Sequence, residues 1–316
     1  MDGEDIITST LYKDRKEWAD VTPLYCVGNE DCIVRIAYTD EFKDAFAYLR
    51  AVMNSGELTA RCFELTTTCV TQYRREIIAA LGLDLQKEMR FISEMIMENP
   101  KNYQVWHHRG CLVEILNKDF EEELDFTAEV LEDEPKNYHA WQHRLWVIRE
   151  YKLANQTELD YSTRLIIEDP YNNSAWHYRH VVLALMGKLQ DPITIDIEEN
   201  FCKEVAQNVQ NNESVWSYLT GLLAENGLLS RPGLEDWAQQ LWDTAEEEKR
   251  SYMVGQFLLD IQFEYIDKNP EEALKHVERV KQLCAALGEL DGVRRFYYAH
   301  LQALAENTYH KCAGAR

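Results

Sequence analysis

A ten-residue block ending in arginine recurs at a fixed interval: Pro100-Lys-Asn-Tyr-Gln-Val-Trp106-His-His-Arg109, Pro135-Lys-Asn-Tyr-His-Ala-Trp141-Gln-His-Arg144 and Pro170-Tyr-Asn-Asn-Ser-Ala-Trp176-His-Tyr-Arg179. The tryptophans stand 35 residues apart. A fourth copy, Asn211-Asn-Glu-Ser-Val-Trp216-Ser-Tyr-Leu219, follows after 40 residues and keeps the tryptophan while losing the proline and the arginine. A period of this length marks a stacked array, in which each unit buries its apolar face against its neighbours and chain length stops counting domains.

The block also says what each unit is. Asparagine stands four residues before every tryptophan, at Asn102, Asn137, Asn172 and Asn212. Its side-chain oxygen caps the free N–H groups of a first helical turn, so each Asn is expected to start a helix. The proline two residues earlier in the first three copies closes the helix before it. Those preceding segments carry apolar residues at helical spacing, Leu85, Met89, Ile92 and Ile96 in one and Phe120, Leu124, Ala128 and Leu131 in the next. Each unit therefore reads as helix–turn–helix.

Within the second helix, Trp at i and Arg at i+3 share a face. For Trp106 and Arg109, Trp141 and Arg144, Trp176 and Arg179, this predicts packing between neighbouring units, the guanidinium bonding a carbonyl or carboxylate of the adjacent one. The histidines at 139 and 143 and at 177 and 180 have ligand-like spacing, but His143 shares its repeat slot with His108 and Tyr178, which points to structure, and no metal site is expected in this chain. The run Glu121–Glu134 reads as the charged outer face of a helix.

Formal net charge is −22 over 316 residues. That excludes nucleic acid and anionic membrane as main partners, since both attract basic faces. No window approaches the roughly 20 apolar residues of a membrane span, and Met1-Asp-Gly-Glu-Asp5 lacks the basic start of a signal peptide, so a soluble cytoplasmic protein is expected. Eight scattered cysteines without a Cys-x-x-Cys pair read as reduced thiols.

The Lys-Asn-Tyr-x-x-Trp-x-His-Arg blocks resemble the repeat of protein prenyltransferase α subunits. Glu17-Trp-Ala-Asp-Val-Thr-Pro23 and Ile36-Ala-Tyr-Thr-Asp-Glu-Phe42 look like the α subunit shared by the farnesyl and type-I geranylgeranyl enzymes. The resemblance covers about Tyr12 to Asn226. It implies an all-α fold, a right-handed alpha-alpha superhelix of stacked tetratricopeptide-like helix-turn-helix repeats. The expected layout is an N-terminal extended segment over 1–40 and a helical-repeat domain over 41–316, with repeats near 84–118, 119–153, 154–190 and 194–228 and a degenerate first repeat near 57–83.

It implies as well an enzyme active only with a β subunit, which transfers farnesyl or geranylgeranyl from the isoprenoid diphosphate to the cysteine of C-terminal CaaX motifs. By resemblance, Lys101 reaches the diphosphate as its carbon–oxygen bond breaks, with Tyr103 beside it; Gln104 holds the C-terminal carboxylate of the CaaX substrate; and Asn137, Tyr138 and His139 line the same cleft. Zinc is implied in the β subunit, and magnesium with the diphosphate for farnesyl transfer. The lysine before an Asn-capped helix is a plausible anion site in its own right, though Lys136 fills the same slot and a solvated turn lysine is the plainer reading. Two other readings stay open at this point: the α subunit of Rab geranylgeranyltransferase, and a non-catalytic peptide-binding scaffold.

One departure stands out. The family has an earlier Asn-Tyr-x-x-Trp block, whereas here Phe63 to Arg75 runs through its place: 35 residues before Trp106 stands Thr71, with Arg74 in the arginine slot. The first helix pair is therefore expected to dock poorly, at a cost of about 3 kcal/mol.

Overall fold

A computed structural model describes residues 10–26, 37–68, 72–116, 120–269 and 271–314. Among them every regular element is a helix. In Met1–Arg144, one of two compact units, these are α1 (Asp40–Ser55), α2 (Ala60–Leu65), α3 (Gln72–Leu81), α4 (Leu85–Glu98), α5 (Tyr103–Leu116), α6 (Phe120–Asp133) and the start of α7 (Tyr138–Glu150). The second unit, Leu145–Arg316, continues with α8 (Gln156–Glu168), α9 (Asn173–Leu185), α10 (Pro192–Asn208), α11 (Glu213–Leu223), α12 (Leu234–Thr244), α13 (Tyr252–Lys268), α14 (Ala273–Leu290) and α15 (Arg295–Gly314).

The caps fall where the asparagines predict. Asn102 Oδ1 accepts from the Gln104 N–H (3.1 Å), Asn137 Oδ1 from Ala140 (3.0 Å), Asn172 Oδ1 from Ser174 (3.1 Å) and Asn212 Oδ1 from Ser214 (3.0 Å). Each tryptophan, buried, turns its indole N–H back to the carbonyl six residues earlier. The acceptors are Pro100 (2.8 Å), Pro135 (2.9 Å), Pro170 (2.9 Å) and Gln210 (2.8 Å). One indole thus closes each turn while its ring packs onward. Trp106 lies 6.0 Å from Phe126 and 5.4 Å from His143, and Trp176 lies 5.5 Å from Phe201 and 5.0 Å from Tyr218.

Arg144 bonds the Leu124 carbonyl at 2.7 Å and the Thr127 hydroxyl at 3.1 Å, while two other repeat arginines find carboxylates. Arg109 forks onto Glu123 with both bonds at 2.8 Å, and Arg179 onto Glu198 with both at 2.6 Å. The same glutamates also take a hydrogen bond from the helix that follows: His143 Nε2 lies 3.0 Å from Glu123, and Tyr218 Oη donates to Glu198 at 2.5 Å. Glu158 likewise accepts from Tyr178. Buried ions survive only when paired and fully hydrogen-bonded, and bidentate guanidinium–carboxylate geometry meets that condition. Burial alone would push the Glu123 carboxyl up, but His143 and Arg109 outweigh it and hold it at about 2. For His143 burial is the largest influence and lowers its pKa despite Glu123.

Glu123 corrects the reading of the acidic run as an outer face. Its neighbours Glu121 and Glu122 are exposed, but Glu123 is fully buried, and the inward stripe of α6 is Glu123, Thr127, Val130 and Leu131. The first pair also departs from expectation. Arg74 is buried and forks onto Glu88 at 2.6 and 2.7 Å, while His108 Nε2 lies 2.9 Å from the same carboxylate. Tyr73, Ile77 and Ile78 are buried beside it. The helix therefore docks; the Thr71 position itself lies outside the described residues.

Ahead of the repeats, two short 3-10 turns (Tyr12–Asp14 and Lys16–Trp18) lie against α1. Buried Asp44 accepts from the Tyr12 N–H at 2.5 Å and the Tyr25 hydroxyl at 3.1 Å, and Trp18 packs edge-on to Tyr48 at 5.6 Å. Ile36, the first residue of the second family-like segment, lies outside the described residues.

Candidate functional site

The turns that start α5 and α7 are the part of the first unit that faces solvent with chemistry to offer. Residues before and at a helix start must leave the preceding helix, satisfy the cap and begin a new turn, which pushes non-capping side chains outward. Lys101 is 74% exposed, Tyr103 67% and Tyr138 69%. Gln104 and His139 are half-buried, and the Tyr138 and His139 rings meet edge-on at 5.5 Å.

Asn137 joins the two turns. Buried at 3% exposure, it directs Nδ2 to the Pro100 carbonyl (3.1 Å) and to Glu134 Oε2 (3.0 Å) while its Oδ1 caps α7. The Lys101 ammonium lies 3.3 Å from Glu134 Oε1. Lys101, Asn137 and Glu134 are therefore one connected group, with Tyr103 and Gln104 on the first turn of α5 and Tyr138 and His139 on that of α7. Sequence reasoning named all of these except Glu134. The available signal was its place three residues before Asn137, at the end of the acidic run.

The connected group presents cationic and hydroxyl chemistry with the Glu134 carboxylate against its ammonium. It combines an exposed ammonium, two phenol hydroxyls and the N–H-rich start of α5, where the helix dipole adds partial positive charge. Within the second unit, Asn212 repeats the Asn137 bond, its Nδ2 reaching the Pro170 carbonyl at 2.5 Å. His177 is exposed and His180 half-buried, and among the described residues no three His, Cys, Asp or Glu side chains converge to hold a metal ion. Nor is any helix among them long and apolar enough to cross a membrane.

Comparison with known proteins finds matches over part of the chain. The family description "Protein prenyltransferase alpha subunit repeat" matches residues 85–116, 120–151 and 155–186. The protein farnesyltransferase/geranylgeranyltransferase type-1 subunit alpha of Solanum lycopersicum is 33% identical over 111 residues, 32% of this chain and 32% of that protein. The subunit of the same name from Schizosaccharomyces pombe is 32% identical over 105 residues, 30% of this chain and 36% of that one. The alignment thus spans about a third of the length of these relatives. A solved structure extends the likeness: a chain of the Candida albicans protein geranylgeranyltransferase-I complexed with GGPP has a TM-score of 0.76 and 26% identity, covering 91% of this chain and 98% of that one. Three family repeats in sequence, the turn and arginine contacts that recur with their period, and a shared fold over nine-tenths of the chain make this protein similar to protein prenyltransferase alpha subunits.

Proposed function

We propose that this chain is the α subunit of a heterodimeric CaaX prenyltransferase, transferring farnesyl with one β subunit and geranylgeranyl with another. The observation that carries the reading is the connected pair of turns, which sets an exposed ammonium and two phenols beside half-buried Gln104 and His139. In the reaction the substrate cysteine sulfur forms a bond to C1 of the isoprenoid, the C1–oxygen bond breaks, and diphosphate leaves with the electron pair while the thiol proton goes to solvent or buffer. Charge gathers on the departing oxygens, and a cation aimed there lowers the barrier more than it tightens ground-state binding.

Lys101 is assigned that role, with Tyr103 beside it. Gln104 is assigned the substrate's terminal carboxylate, and Asn137, Tyr138 and His139 the adjoining wall. The proposal places zinc in the β subunit and magnesium with the diphosphate during farnesyl transfer, and routes no step of this chain's residues through either. It also places the complex in the cytoplasm, which cell fractionation checks.

The test is coexpression with a farnesyltransferase-type β subunit, scored by copurification and by isoprenoid transfer to a CaaX peptide. Lys101→Ala is expected to lower kcat by about 10²-fold, the scale of one lost transition-state charge contact, with assembly intact. A variant that fails to copurify yet turns over normally per complex would refute the assignment. Gln104→Ala is expected to weaken peptide binding and leave isoprenoid binding unchanged; equal loss of both counts against its role. Failure of copurification and of transfer together returns the chain to a scaffold.

A further inference from the structure

The Lys101 ammonium is not idle in the free chain. It faces Glu134, whose side chain is 35% exposed, across 3.3 Å. An ion pair between two long surface side chains ordinarily drifts, because both must be ordered to keep it. Here one end is fixed. Glu134 Oε2 accepts from Asn137 Nδ2 at 3.0 Å, and the same nitrogen donates to the carbonyl of Pro100, the residue that adjoins Lys101, at 3.1 Å. Asn137 is itself buried and locked by its cap to Ala140. The carboxylate is thus tied, through one buried amide, to the peptide group from which the lysine side chain springs. The Asn137 hydrogen bond first, and Lys101 after it, hold this carboxyl below the usual range.

An ammonium between a fixed carboxylate and an incoming diphosphate must leave one to serve the other. We infer that Glu134 is a positioning residue, which keeps Lys101 beside the leaving-group position and competes with the diphosphate for it, so that the full lysine contact forms late, as the leaving charge builds. The inference rests on the reading of Lys101 given above.

A double-mutant cycle on the complex with a coexpressed β subunit tests it, using wild type, Glu134→Gln, Lys101→Ala and the double variant. Two quantities are read: affinity for inorganic diphosphate and KM for the isoprenoid diphosphate. Glu134→Gln is expected to tighten diphosphate and lower that KM by about two- to fivefold, the range of an exposed ion pair, and to do neither when Lys101 is already alanine. Equal gains in both backgrounds would mean repulsion through space and would overturn the pairing. No gain from Glu134→Gln, in a complex where Lys101→Ala slows turnover, overturns the positioning role and leaves the reading of Lys101 standing. Normal turnover and diphosphate affinity in Lys101→Ala overturn both.

Discussion

Arg74 in α3 and Arg109 in α5 face the same task with different help. Each is buried, and each forks onto a glutamate of the following helix, Glu88 or Glu123, that also holds a histidine of the helix after that. Behind Arg109 stands the complete turn, with Asn102 capping α5 and the Trp106 indole closed on Pro100. Behind Arg74 the sequence offers neither that asparagine nor that tryptophan. Its guanidinium lies instead over Phe63 at 4.0 Å and Phe91 at 4.8 Å, and bonds the Phe63 carbonyl and the Thr66 hydroxyl, both at 3.1 Å. The contact between successive units is therefore separable from the turn that closes each unit. A repeat that loses its turn still docks if it keeps its arginine.

The largest effect should come from breaking that contact on both sides of the comparison. Arg109→Ala removes the bidentate partner of buried Glu123, and is expected to cost about 3–5 kcal/mol in denaturant unfolding. Arg74→Ala should cost as much; a loss below about 1 kcal/mol would show that α3 docks by apolar burial alone. Trp106→Phe comes next. It keeps most of the buried ring but removes the N–H from the Pro100 carbonyl, for an expected loss of about 1–2 kcal/mol, and no counterpart exists in the first pair. Asn137→Ala should cost about 1 kcal/mol as a lost cap and should also loosen the Lys101 turn, which amide exchange at 100–104 would reveal.

The smallest effects are those of pH. The Glu123 carboxyl is held at about 2, below its ordinary 4.5, so its contribution is complete above pH 4.5 and is lost as pH falls through about 2. The stability gap between wild type and Glu123→Gln should narrow across that window. His143 is lowered chiefly by burial, so below pH 6.5 the unfolded chain takes up its proton first and folding weakens. The second unit carries tyrosine in this slot, at 178 and 218. His143→Tyr should flatten the curve just below pH 6.5, and an unchanged slope would mean that the imidazole does not titrate with unfolding.

Much of this was legible in the sequence because the repeat exposes whatever does not vary. Asparagine, proline, tryptophan and arginine each have a single physical use at a helix start, so their period translated directly into caps, breaks and packing. The glutamates did not, since Glu123 stands in a row with Glu121 and Glu122 and only its position on the helix decides that it points inward. Yet Glu88, Glu123, Glu158 and Glu198 follow the intervals of the tryptophans, 35, 35 and then 40 residues, and that phase could have identified them. At the candidate site the exposed residues were visible as a motif, while Glu134 was hidden because an ion pair across a turn leaves no periodic trace. The use of Arg74 depends on Phe63 and Phe91 on neighbouring helices, which no local pattern in the sequence displays.

The proline carbonyl has a further consequence. Pro100 accepts from both Trp106 and Asn137, 37 residues on, and Pro170 accepts from both Trp176 and Asn212, 42 residues on. The two spans differ by five residues, yet the same three groups meet. Part of the surplus is taken up away from the turn, where α10 has 17 residues against 14 in α6. What each unit keeps is the meeting of these three groups at the turn, so residues added between two turns leave that contact in place.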